Sequence, residues 1–155
     1  MSLSAPEITR AVTLGALRLM EQMSMASVTE MRLANGRRSD IMAISEKGEL
    51  WIVEVKSCRA DFESDGKWHE YRPFCDRFFF AVDEDFPTEL LPLDAGLIIA
   101  DQFGGALIRH SPEHKLAAAR RKALTLKFAR AAAQRFTQTQ TGTPAMTGDL
   151  LRRRA

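Results

Sequence analysis

Two acidic side chains and a lysine lie at the ends of two apolar stretches that the sequence predicts to be neighbouring strands. Asp40 begins the stretch DIMAIS, and Glu54 and Lys56 lie near the end of LWIVEVK. Opposed carboxylates on a half-buried sheet repel each other unless a cation lies between them. Their oxygens suit Mg²⁺ or Mn²⁺, and a lysine beside such a metal can activate water or neutralise a phosphate. Metal-assisted phosphodiester hydrolysis requires this set of groups.

Whether the two acids meet depends on the loop between the strands. If EKG is a three-residue loop with Gly48 left-handed, Asp40 lies opposite Glu54, and Lys56 shares their face. A two-residue KG loop would instead place Asp40 opposite Val55 and separate the acids onto opposite faces. A simpler interpretation also stays open, in which Glu54 and Lys56 form only a salt bridge where the strand reaches water.

Local patterns predict the elements that would position these residues. Ser4, Pro6 and Glu7 are typical of a helix start with a capping box, and the helix should extend over residues 4–23. A second, short helix should be capped by Ser64 or Asp65. The full predicted order is this helix, strands at 27–33, 40–45 and 50–56, a short helix within 62–74, strands at 77–83, 95–101 and 106–111, and a long helix at 112–136.

This order predicts an α/β (α+β) fold, with a mixed central β-sheet flanked by helices. We expect a single domain over residues 1–136, because the chain is 155 residues long. Residues 137–155 should form a flexible polar tail, since they are rich in Thr, Gln and Gly and lack apolar periodicity.

Composition restricts the function class only loosely. The chain is 45% hydrophobic and 27% charged, as in an average soluble protein, and no apolar run is long enough to span a membrane. We expect a cytoplasmic protein, because no secretion signal is apparent and the two cysteines fit neither a disulfide framework nor a zinc cluster. A net charge of +2 is too small to identify a nucleic-acid-binding protein by itself.

The arrangement of Asp40, a strand turn and the EVK motif resembles the PD-(D/E)xK nuclease superfamily, with Ser39 in place of the proline. The segments GRRSD, IVEVKS and DFESDGKWHEY are further similar to the MmcB-type DNA-repair endonucleases, and this resemblance extends over residues 27–133. It implies a restriction-endonuclease-like core, with Asp40 and Glu54 as ligands of Mg²⁺ or Mn²⁺ and Lys56 as the catalytic lysine. The implied partner is DNA, either damaged or branched.

Other residues are weaker candidates for the site. A further acid often lies on or near the first helix in this superfamily, but capping already explains Glu7. Glu30 would join the acidic face if NGR were a three-residue loop and would point away if NG alone formed the loop, which Asn-Gly favours. The candidate DNA-binding residues are Arg37, Arg38, Lys67, Tyr71, Arg120 and Lys127. Each also has a structural explanation, as a solvated turn, a packed ring or a charged helix face.

The sequence therefore favours a metal-dependent DNA endonuclease acting in DNA repair. The alternative is a non-catalytic DNA- or partner-binding module on the same fold. A third, remoter hypothesis is an enzyme that uses the carboxylate pair on a substrate other than nucleic acid. A homodimer is left open.

Overall fold

The computed structural model describes residues 2–143, and they begin with helix α1 (Ala5–Gln22). The backbone N–H and the Oγ of Ser4 donate to Oε2 of Glu7, at 2.7 and 2.6 Å, so the predicted capping box is confirmed. Glu7 therefore has a structural role at the exposed start of the helix.

Six strands form one mixed sheet in which they lie side by side in chain order. They are β1 (Ala26–Arg32), β2 (Arg38–Ile44), β3 (Leu50–Val55), β4 (Arg77–Val82), β5 (Gly96–Asp101) and β6 (Gly104–Arg109). Strands β3, β4 and β5 are parallel, and the other neighbours are antiparallel. The predicted mixed sheet flanked by helices is confirmed.

Both faces of the sheet are covered, so alternate residues of the central strands contribute to two different cores. Val53 and Phe79 pack on the face covered by α1. Ile52 and Phe78 pack on the opposite face, against a 3₁₀ helix (Trp68–Phe74) and helix α3 (Ala118–Thr141). Glu54 shares the face of Ile52, because side chains alternate along a strand. The acid therefore lies on the α3 side of the sheet.

The connection from β3 to β4 differs from the prediction. Helix α2 (Arg59–Ser64) ends where a helix was expected to begin, and the 3₁₀ helix follows only from Trp68. Ser64 and Asp65 therefore do not cap the second helix. The carboxylate of Asp65 instead accepts hydrogen bonds from Nζ of Lys56 at 2.8 Å and from the backbone N–H of Lys67 at 3.2 Å, so it links Lys56 to the turn before the 3₁₀ helix.

Helix α3 begins and ends later than predicted. The backbone N–H groups of His114 and Leu116 donate to Asp76, at 2.7 and 2.9 Å, so this stretch is held against the sheet before the helix starts. At the other end, residues 137–141 continue the helix and do not belong to a polar tail. The remainder of the predicted tail, residues 144–155, lies outside the described residues. No helix in the described part of the chain is both long and apolar enough to cross a membrane.

Candidate active site

The β2–β3 hairpin brings Asp40 and Glu54 together. Gly48 has a φ of +86°, which closes a three-residue loop, and the N–H of Ser45 donates to the carbonyl oxygen of Glu49 at 3.0 Å. The paired residues run from Ile44 and Leu50 to Ile41 and Val53. The next position in this register places Asp40 opposite Glu54. The register predicted from the EKG loop is confirmed, and the two-residue alternative is wrong.

At the end of the hairpin, the two carboxylates accept hydrogen bonds from backbone N–H groups of the opposite strand. The N–H of Asp40 donates to Oε1 of Glu54 at 2.8 Å, and the N–H of Val55 donates to Oδ2 of Asp40 at 2.8 Å. Each side chain is therefore anchored to the backbone of the opposite strand. This arrangement fixes both carboxyl groups next to each other on one face.

Burial makes this pair reluctant to ionise fully. Glu54 is only 4% exposed, and burial followed by the facing Asp40 carboxylate raises the pKa of Glu54 to about 9. Burial also raises the pKa of Asp40, although the N–H of Val55 and the charge of Lys56 oppose the shift. Without a cation, the pair therefore retains a proton near neutral pH. A divalent cation would take the place of that proton.

Lys56 lies beside the acid pair but is bound to two other acids. Its side chain is buried, and its Nζ lies 2.8 Å from Oδ2 of Asp65 and 3.9 Å from Oδ1 of Asp61. Asp61 in turn accepts a hydrogen bond from the N–H of Ser57 at 2.9 Å. The lysine thus connects the end of β3 to both ends of α2.

Sequence reasoning did not identify Asp61 and Asp65 as partners of the lysine. They are four residues apart, a spacing that places two side chains on the same side of a helical turn. That spacing in DFESD, which begins five positions after Lys56, was the available indication.

The donor set fits a hard divalent cation only in part. Within residues 2–143, no group of three or more His, Cys, Asp or Glu side chains is arranged to hold a metal ion. Asp40 and Glu54 offer two carboxylates. Mg²⁺ is commonly bound by one or two carboxylates, with water and substrate phosphate completing its coordination. The pair therefore suits Mg²⁺ or Mn²⁺ bound together with a phosphate.

Glu30 does not join the pair, and both predicted registers of the β1–β2 hairpin are wrong. The loop is Ala34–Gly36, because Gly36 has a φ of +85° and the N–H of Leu33 donates to the carbonyl oxygen of Arg37 at 2.7 Å. Glu30 itself has a φ of +52° and interrupts the ladder, and its exposed carboxylate lies 3.9 Å from Arg38. Glu7 is on α1, which covers the opposite face of the sheet.

Some of the candidate DNA-binding residues near the acid pair are exposed, whereas others are already hydrogen-bonded within the protein. Nε of Arg37 donates to Glu70 at 2.6 Å, whereas Arg38 and Lys67 are exposed. Tyr71 is buried, and its hydroxyl donates to the carbonyl oxygen of Arg38 at 3.1 Å. Lys67 and Tyr71 do not share a helical face, because the segment is a 3₁₀ helix that starts after Lys67.

The basic residues of α3 also have different roles. The guanidinium of Arg120 lies 4.7 Å from the ring of Phe74, and Lys127 is exposed on the helix surface. Arg121 is structural, since its two terminal nitrogens lie 2.7 and 2.6 Å from the buried carboxylate of Asp76. Sequence reasoning missed this ion pair, because 45 positions separate its members.

Fold and site together define an α+β protein with a buried acid pair and an adjacent lysine at the diverging end of a hairpin. The chain belongs to the MmcB-like family, since the family model described as DNA repair protein MmcB-like matches residues 2–143. A solved structure described as the SPO1766 protein of unknown function from Silicibacter pomeroyi is similar, with 42% sequence identity and a TM-score of 0.85. That match covers 95% of this chain and 100% of the other. No curated protein matches the chain.

Proposed function

We propose that this chain is a metal-dependent DNA endonuclease that acts in DNA repair and has a PD-(D/E)xK-type site. The observation behind the proposal is the meeting of Asp40 and Glu54 on one buried face, with Lys56 beside them. Two facing carboxylates in such surroundings are unfavourable unless a cation neutralises them. The DNA-repair description of the family supports DNA as the substrate.

In this proposal, Asp40 and Glu54 hold Mg²⁺ or Mn²⁺. The bound metal would supply an activated water and would stabilise charge on the phosphate. The ammonium of Lys56 orients that water or neutralises a phosphate oxygen. Damaged or branched DNA is the proposed substrate class. Arg38 and Lys67 are the proposed contacts to its backbone, because both are exposed and lie two residues from Asp40 and Asp65, respectively.

A phosphate that approaches Lys56 must compete with acids that already bind it. Lys56 is 5% exposed, and Asp65 and Asp61 lie 2.8 and 3.9 Å from its Nζ. Because both acids come from α2 or its end, we expect α2 to shift when a substrate phosphate takes over the ammonium.

The second candidate function is a non-catalytic DNA- or partner-binding module. Two observations favour it: Lys56 is already paired with Asp65, and no group of three or more potential metal ligands is present within residues 2–143. A homodimer also remains an expectation.

The test is a cleavage assay on single-stranded, duplex, flapped and branched DNA with Mg²⁺ or Mn²⁺. We expect Glu54→Gln to abolish cleavage, because it keeps the shape of the side chain but removes the charge that binds the metal. Lys56→Ala should lower cleavage with less effect on metal binding. The matched control is Glu46→Gln, which changes an exposed acid in the loop of the same hairpin and should leave cleavage unchanged.

The outcomes separate the candidates. Cleavage that survives Glu54→Gln would contradict the proposed site. If the wild-type protein cuts none of these substrates but binds one of them tightly, the binding module is the correct function. If it neither cuts nor binds DNA, both candidates are wrong.

A further inference from the structure

A basic groove lies between the end of the 3₁₀ helix and the start of α3. It has a volume of about 680 Å³ and is lined by Arg72, His114, Lys115 and Arg120, among others. None of the described residues that line it is acidic. The groove is therefore a place where an anion would find several cationic or hydrogen-bond-donating side chains.

Arg72 is held in place beside this groove. Its Nη2 donates to the carbonyl oxygen of Asp94, and its guanidinium lies 5.5 Å from the ring of Trp68. Because Arg72 lines the groove, its positive charge attracts an anion that binds there.

The acids nearest in sequence to the groove already have partners. Asp76 is bound by Arg121 at 2.6 Å, and Glu113 lies 3.9 Å from Arg77. The start of α3 adds to the positive potential, because Ala117 has no capping side chain and the first turn contains no acidic residue. Asp76 and Glu113 therefore do not neutralise the basic side chains of the groove.

We propose that this groove binds a backbone phosphate of DNA, as an anchoring site separate from the acid pair. The inference rests on the proposed DNA function and adds a second contact to it. Groove and acid pair lie on the same face of the sheet, towards opposite ends of β3. Asp76 accepts the N–H of Leu50, at the start of β3, and the N–H of Leu116, which lines the groove. The distance from Leu50 to Glu54 along the strand is roughly 13 Å at about 3.3 Å per residue, or about four nucleotides of a duplex strand. One DNA strand can therefore contact both places.

The test is DNA binding measured by fluorescence anisotropy in EDTA, which removes cleavage from the readout. Lys115→Glu should weaken duplex binding roughly tenfold and reduce the salt dependence by about one released ion. Lys115 is exposed and precedes α3, so the fold should tolerate the change. Arg18→Glu is the matched control, because it makes the same charge change on an exposed position of α1, across the sheet, and should have little effect.

Three results would contradict DNA binding at the groove. They are an unchanged DNA affinity in Lys115→Glu, an equal loss of DNA affinity in Arg18→Glu, and the absence of DNA binding by the wild-type protein. A thermal shift with inorganic phosphate that depends on Lys115, without a change in DNA affinity, would also overturn it and indicate a site for small anions. The failure of the nuclease proposal looks different. In that case Lys115→Glu still selectively loses DNA binding while no DNA in the cleavage panel is cut.

Discussion

Replacing Glu54 with glutamine should stabilise the metal-free protein at pH 8, although the replaced group is one that the proposed site needs. Glutamine resembles the protonated acid in shape and can still accept the N–H of Asp40, which lies 2.8 Å from Oε1 in the structure. It removes the carboxylate that burial and the neighbouring Asp40 make unfavourable. A site kept for function at the expense of stability should behave in this way.

The size and sign of the effect follow from the pKa of Glu54, which is raised from 4.5 to about 9. Below pH 4.5 the acid is protonated in both the folded and the unfolded protein, so its shift has no effect on stability. As the pH rises, only the unfolded chain releases the proton freely, and each pH unit lowers the free energy of unfolding by about 1.4 kcal/mol. The upper limit at pH 8 is about 5 kcal/mol. Because Asp40 shares the proton and water can enter, we expect a stabilisation of about 2 kcal/mol.

Urea unfolding at pH 5 and pH 8, without metal, measures this difference. A gain of about 2 kcal/mol corresponds to a rise in Tm of roughly 4–8 °C, and the gain should nearly disappear at pH 5. Glu49→Gln is the control on the same hairpin. Glu49 pairs with Arg77 at 2.8 Å, so its replacement should destabilise the protein. If Glu54→Gln destabilises the protein equally at both pH values, the acid pair is an ordinary structural feature and the reasoning is wrong.

Two further predictions concern residues to which the structure gives a structural role. Asp76→Asn should lower the free energy of unfolding by about 3 kcal/mol, because the buried carboxylate accepts two backbone N–H groups and pairs with Arg121. Urea unfolding checks this, with the exposed Asp101→Asn as a control, and a loss below about 1 kcal/mol at Asp76 would contradict it. Tyr71→Phe should cost about 1 kcal/mol, since its hydroxyl donates to the carbonyl oxygen of Arg38, and should leave DNA affinity unchanged. A marked loss of DNA binding in that variant would show that Tyr71 contacts DNA directly.

The sequence was sufficient to predict the pairing of the two acids, because the length of one hairpin loop determines it. Gly48 takes the left-handed position of a three-residue loop, and the alternation of side chains then brings Asp40 opposite Glu54. Prediction from the turn residues was wrong for the preceding hairpin, between β1 and β2. The Asn-Gly pair favoured a two-residue loop, but Gly36 closes a three-residue loop that starts at Ala34, so both predicted registers were wrong.

Contacts between distant segments could not be predicted from local patterns. Asp76 binds the N–H of Leu116 as well as Arg121, and this interaction delays the start of α3 beyond the predicted residue. A tertiary partner, which propensity does not encode, therefore determined where α3 begins. Lys56 is a different case, because its partners Asp61 and Asp65 are close in sequence. They were missed because the helix was predicted to begin near Asp65, whereas α2 ends there.

The most direct test of the proposed metal site is a crystal grown at pH 8, soaked in Mn²⁺ and measured for anomalous scattering. We expect a single strong peak between the carboxylates of Asp40 and Glu54, about 2.0–2.2 Å from an oxygen of each. The same soak of Glu54→Gln should show this peak lost or strongly reduced. A map without manganese between the two acids, or with manganese bound only elsewhere, would contradict the central claim that this pair exists to hold a divalent cation.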